Sequence, residues 1–242
     1  MSLIPLQRHH VLEPFLARVA GRRPAEYGVA MQVLPYLGYL NMRGDPNDSG
    51  FVAAVGNTLG QPLPIAANTF TRGETITGGE CRVFWLRPDE WLVMTEPGLE
   101  KTLARRLEKA VAGRAFALTD LTGGQIRIRL GGRNARDVLA KGCTLDFHPR
   151  VFLPGRCAQT VLGKASMLIA LSRGGVEGAP SRNAHPGESQ AGDDARLAGG
   201  AGVFDIVVRR THAEYAAEWL YRSAEEYGAR VTARNPVPST RR

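Results

Sequence analysis

Cysteine is scarce in this chain, and so are long apolar runs. Three cysteines occur in 242 residues and no two stand in a C-x-x-C spacing, so neither a disulfide framework nor a common zinc pattern is written here. Cys143, His148 and Cys157 come nearest to a metal set, but C-x4-H-x8-C fits no familiar ligand spacing, and no metal is expected. No hydrophobic stretch nears the ~20 residues of a membrane-spanning helix. The opening MSLIPLQRHHVLEPFLARVAGRR also lacks the apolar core and small-residue cleavage site of a secretory signal. The expectation is a cytoplasmic protein with no membrane partner.

Catalytic signatures are equally thin. Gly123-Gly124 and Gly131-Gly132 lack the spacing of a dinucleotide fingerprint and the Lys-Ser/Thr of a P-loop, so they read as turns. No G-x-S-x-G elbow occurs. Asp120, Asp146 and Asp205 stand singly near strand ends, where a carboxylate reads as a turn or cap acceptor. No catalytic, cofactor-binding or metal-ligating residue is therefore assigned.

The formal charge of +8 raises the question of nucleic acid. It sits at the ends: residues 1–24 carry a net of three positive charges and residues 229–242 four, leaving the body at one. A near-neutral body gives no broad field for a polyanion, and no nucleic-acid partner is expected. The one polar cluster of interest is arginine-rich. In QIRIRL, Ile126, Ile128 and Leu130 point inward and Arg127 and Arg129 outward, with Arg133 and Arg136 just beyond. The four read either as a solvated sheet face or as an interface with an acidic partner surface, where the planar guanidinium suits bidentate pairing.

What is present is a repeated pattern. Strands GVAMQVLP and YLGYLNMR precede the turn Gly44-Asp45-Pro46-Asn47-Asp48, which caps a helix to about Leu59 with Phe51, Val55 and Leu59 on one face. CRVFWLR and WLVMT form a hairpin around Pro88-Asp89-Glu90, and Leu99, Leu103, Leu107 and Val111 predict a helix. The second half runs QIRIRL, then the helix NARDVLAK with Gly142 as a left-handed cap. Strands CAQTVLG, ASMLIAL and VFDIVV follow, then a helix from Thr211. Thr211 and Glu214 make a capping box, Tyr215, Trp219 and Leu220 a buried stripe, and Gly228 the stop.

The fold class is α+β: a duplicated strand-helix-hairpin-helix unit with helices packed on largely antiparallel sheets. One globular domain is expected over 25–234, made of halves 28–112 and 116–234, between a basic arm at 1–24 and a basic tail at 235–242. The Gly/Ala/Ser/Pro-rich stretch 173–202 reads as a disordered insertion in place of a hairpin turn.

Four blocks carry a family resemblance: YLGYLNMRGDPND (36–48), FWLRPDEWLV (84–93), LTDLTGGQIRIRLGGRNARDVLAKGCTLDFHPRVFLPGRCAQTVLGKA (118–165) and FDIVVRRTHAEYAAEWL (204–220). Together they resemble the gamma subunit of heterotetrameric sarcosine oxidase, a shortened relative of the folate-binding aminomethyltransferase fold. The resemblance implies a cofactor-free subunit with alpha, beta and delta partners. FAD, FMN, NAD, tetrahydrofolate and zinc would be held in those chains, and the complex would demethylate sarcosine to glycine oxidatively. The insertion falls where full aminomethyltransferases place an acidic residue, so no catalytic Asp or folate ligand is carried over. A stand-alone folate-binding or aminomethyltransferase-like protein is the alternative.

Overall fold

A computed structural model describes residues 10–22, 24–34, 36–76, 78–172 and 202–233. The expected insertion (but for Gly202), the first nine residues of the basic arm and the basic tail lie outside the described residues. Among the described residues no helix is long and apolar enough to cross a membrane.

After helix α1 (Glu13–Val19), the chain builds β1 (Val29–Val33), β2 (Gly38–Gly44) and helix α2 (Ser49–Leu59). Asp48 caps α2, its carboxylate accepting the Phe51 N–H at 3.1 Å, and Gly60 closes it at φ 68°. Strands β3 (Phe70–Glu74), β4 (Glu80–Arg87) and β5 (Glu90–Thr95), helix α3 (Glu100–Ala110) and β6 (Phe116–Asp120) complete the first half. The second half is β7 (Gln125–Gly131), α4 (Ala135–Ala140), β8 (Cys157–Leu162), β9 (Ala165–Ser172), β10 (Val203–Arg209), α5 (Ala213–Ala224) and β11 (Ala229–Ala233).

Two sheets result, one of five strands in the order β3-β4-β5-β2-β6 and one of six in the order β11-β1-β7-β10-β9-β8. All pairings are antiparallel except β1 with β11. Three apolar layers follow from the period-2 alternation of strand side chains. Val29, Met31, Ile128 and Ile206 face α1, α4 and α5. Leu40, Val83 and Val93 face α2 and α3. Tyr39, Phe84, Leu92, Leu168 and Val207 fill the space where the sheets stack on each other. The architecture is therefore α+β with four layers, helices outside and two sheets within.

Four expectations need correction. The first strand leaves the first half: β1 joins the second sheet, and β6, unmarked in the sequence reading, closes the first. Gly142 is not a left-handed cap, since its φ is not positive. It is glycine because a Cβ would stand 2.3 Å from the Trp219 ring. The capping box does not form. A 3₁₀ turn (Arg210–His212) leads into α5 without a side-chain cap, and Glu214 pairs instead with Arg18 at 3.1 Å. The buried stripe of α5 is Ala213, Ala216, Ala217, Leu220, Tyr221 and Ala224. Tyr215 and Trp219 flank it and lie over Gly163 and, for Trp219, Gly142.

Candidate functional site

The inner faces of the sheets bring charged residues together from distant parts of the sequence. Asp205, in the middle of β10, is 0% exposed. Its neighbour across the ladder is Arg129 on β7, and Arg127 lies two residues along the same face. Arg127 Nε donates to Asp205 Oδ1 at 2.7 Å, and Arg129 Nε stands 3.4 Å from the same oxygen. From the opposite sheet, Arg82 on β4 donates to Asp205 Oδ2, and the Ser172 hydroxyl donates to that oxygen at 3.0 Å. Glu80 extends the chain of charge, accepting from Arg82 Nε at 2.6 Å and Arg72 Nη2 at 2.6 Å. Arg129 also donates to Gln32 Oε1 on β1 at 3.5 Å. Charges drawn from β3, β4, β7 and β10, with the Gln32 amide of β1, thus form one network that ties the two sheets together.

Burial alone would raise the carboxyls, because a charge is costly away from water. The arginines reverse this. Arg127, Arg82 and Arg129 hold Asp205 well below the usual carboxylate range. Arg82 and Arg72 bring Glu80 down to about 2 against its burial. Arg127 is itself lowered to about 10, by burial first and then by the like charge of Arg82. A carboxylate so firmly ionised does not carry protons near neutral pH. The network is built to hold.

At the other end of the inter-sheet layer a cleft of about 660 Å³ opens, lined by Asn41, Glu90, Gln125, Gln159 and Arg209 over an apolar floor of Leu92 and Val207. Glu90 accepts from Asn41 Nδ2 at 2.8 Å and pairs with Arg43 at 3.1 Å and Arg87 at 3.4 Å. Partial burial works against its ionisation, but Asn41 and Arg43 keep its carboxyl below the usual value. The cleft presents amides and paired charge around apolar surface, an arrangement suited to binding rather than to proton transfer.

The predicted arginine cluster is divided by the structure. Arg127 and Arg129 are 3% and 1% exposed, so they neither form a solvated face nor present themselves to another molecule; their acidic partner is Asp205 of the same chain. Arg136 donates to the carbonyls of Phe147 and Phe152 and lies 5.3 Å from the Phe204 ring centre, bracing the loop after α4. Arg133 alone of the four is exposed. Asp120 and Asp146 are turn acceptors, taking the Thr122 and His148 N–H groups at 2.8 Å each. Asp205 is not, and this corrects its reading as a cap. Arg82 and Glu80 were missed altogether. The available signal was charge on the inner period of three strands: Glu80 and Arg82 in ECRVFWLR, Arg127 and Arg129 in QIRIRL, and Asp205 in VFDIVV.

Cys143, His148 and Cys157 do not converge. Cys143 lies between the six-stranded sheet and its helices, Cys157 between the two sheets, and His148 is exposed. Burial pushes the Cys157 and Cys81 thiols up to about 12, away from thiolate chemistry. Among the described residues no three His, Cys, Asp or Glu side chains form a group that could hold a metal.

Comparison with known proteins adds three findings. The profile of the sarcosine oxidase, gamma subunit family matches residues 43–176. A chain of heterotetrameric sarcosine oxidase from Corynebacterium sp. U-96, solved with pyrrole 2-carboxylate, is 24% identical with a TM-score of 0.69, covering 92% of this chain and 97% of that one. The glycine cleavage system aminomethyltransferase T from Bartonella henselae is 15% identical with a TM-score of 0.55, covering 86% of this chain and 48% of that one. The α+β fold is thus that of the aminomethyltransferases, on about half their length. No curated protein sequence matches the chain.

Proposed function

The chain belongs to the sarcosine oxidase gamma subunit family, and on that premise we propose that it is the non-catalytic gamma subunit of a cytoplasmic heterotetrameric sarcosine oxidase. In this reading the alpha, beta and delta subunits hold FAD, FMN, NAD, tetrahydrofolate and zinc. The complex converts sarcosine to glycine with tetrahydrofolate as one-carbon acceptor, and this chain supports the assembly. The observation that carries the reading is the network around Asp205. The most deeply buried charged side chains among the described residues are engaged in joining the two sheets, which is how a scaffold uses them. Co-expression of the tagged chain with the candidate alpha, beta and delta chains tests the reading, and a stoichiometric active complex containing it is expected. A stable, active complex that assembles without this chain and does not take it up would sink the proposal.

The cleft favours a second reading, folate binding by this chain alone. Its volume of about 660 Å³ and its mix of Gln125 and Gln159 amides over Leu92 and Val207 suit a flat heterocycle with polar edges. Calorimetric titration of the isolated, folded chain with tetrahydrofolate separates the two, since the gamma-subunit reading expects no heat of binding.

A further inference from the structure

Among the described residues six large apolar side chains are more than a third exposed, and three of them lie near one another. Ile65 is 61% exposed, Val151 56% and Leu153 47%. They lie on two loops, 61–68 and 143–155, that adjoin where Thr69 and Arg156 form an isolated antiparallel bridge. Around that bridge Phe70 N–H donates to Gly155 O at 3.0 Å and Cys157 N–H to Asn68 O at 2.9 Å.

Both loops are fixed from beneath. Trp91 Nε1 donates to Pro64 O at 2.7 Å, next to Ile65. Phe152, between Val151 and Leu153, is buried against Phe147 and Phe204, and Arg136 holds its carbonyl. Exposed aliphatics on a pre-ordered surface lose little conformational freedom on docking, which favours association.

The charge on these loops has one sign left over. Arg150 and Arg156 are exposed beside the aliphatics. The only carboxylate in the two loops, Asp146, offsets one of these two arginines, which leaves the border net positive. An apolar centre with a cationic border complements a protein surface of apolar centre and acidic border.

We infer that the surface carrying Ile65, Val151 and Leu153, bordered by Arg150 and Arg156, is where this chain docks onto an acid-bordered apolar surface of one of the large subunits of its complex. The inference rests on the gamma-subunit reading. The test co-expresses the tagged chain with the candidate alpha, beta and delta chains and measures how much of each co-purifies. Leu153→Asp combined with Val151→Asp should cut recovery of the partners at least tenfold. Ile76→Asp, an equally exposed aliphatic on the β3–β4 turn, should leave recovery as in the unaltered chain. Arg150→Glu with Arg156→Glu should lower recovery severalfold and weaken its dependence on salt, a readout that survives if the aspartate variant does not fold. Thermal melts of the isolated variants establish folding. If the unaltered chain recovers no partner, the gamma-subunit reading fails and this inference with it. If the unaltered chain recovers its partners and both sets of folded variants do so equally well, only the docking surface is overturned. A concentration-dependent dimer of the isolated chain, abolished by the same substitutions, would assign the surface to a second copy and also overturn it.

Discussion

The two sheets repeat one plan, β3-β4-β5-β2-β6 in the first and β8-β9-β10-β7-β11 in the second, with β1 wedged between β7 and β11. In each, the second strand of the hairpin carries a carboxylate and the leading strand carries arginine. β5 has Glu90 opposite Arg43, and β10 has Asp205 opposite Arg129. The surroundings differ. Glu90 stands at the mouth of the cleft, partly open to solvent, while Asp205 is sealed between sheets and held by arginines from both. The same kind of pair is a minor surface contact in one half and a structural joint in the other, because the attraction between charges strengthens as water is removed.

Breaking the sealed pair should have the largest effect. Asp205→Asn leaves three guanidinium groups without their shared carboxylate and should cost about 3–5 kcal/mol, read as a shift in the denaturant midpoint. Protonation is a milder way to break it. Glu80 has a folded pKa of about 2 against an ordinary 4.5, so its contribution is complete above about 4.5 and is lost as pH falls toward 2. Stability measured by chemical denaturation should decline across that window by up to about 3 kcal/mol, and Glu80→Gln should flatten the decline. Asp205, lowered in the same direction, extends the loss to lower pH.

Smaller changes sharpen the contrast between halves. Gly142→Ala drives a methyl into the Trp219 ring, as Gly44→Ala would into the Phe51 ring of the first half, and should cost about 1–3 kcal/mol with a lowered Tm. Glu90→Gln removes the open pair and should cost at most about 1 kcal/mol by the same denaturation measurement. A cost for Glu90→Gln as large as that of Asp205→Asn would refute the difference in environment on which the comparison rests.

Where side-chain periodicity and turn chemistry were strong, the sequence carried the fold. Asp48 and Gly60 bound α2 as a cap and a left-handed glycine should, and Leu103, Leu107 and Val111 are buried on α3 and its end. β3, β6 and β11 escaped notice because they are short edge strands, FTRGE, FALTD and ARVTA, in which most side chains stay at least partly exposed. The charged joint was illegible for a different reason. Alternation separates the two faces of a strand but does not say what covers the polar face, and in a stack of two sheets that cover is another sheet. Arg82 lies 123 residues from Asp205, a pairing no local pattern announces.

The wedged strand also bears on how the chain is made. Residues 38–120 contain every strand of the five-stranded sheet, so that sheet can close while the rest is still being synthesised. β1 comes earlier in the chain but pairs with β7 and, at Val29 and Ala229, with a strand that emerges 200 residues later. It must wait, its apolar Val29, Met31 and Val33 uncovered, until the second half arrives. A nascent chain halted before β7 would carry a finished sheet and an orphaned strand, and that strand is the part a chaperone would have most reason to hold.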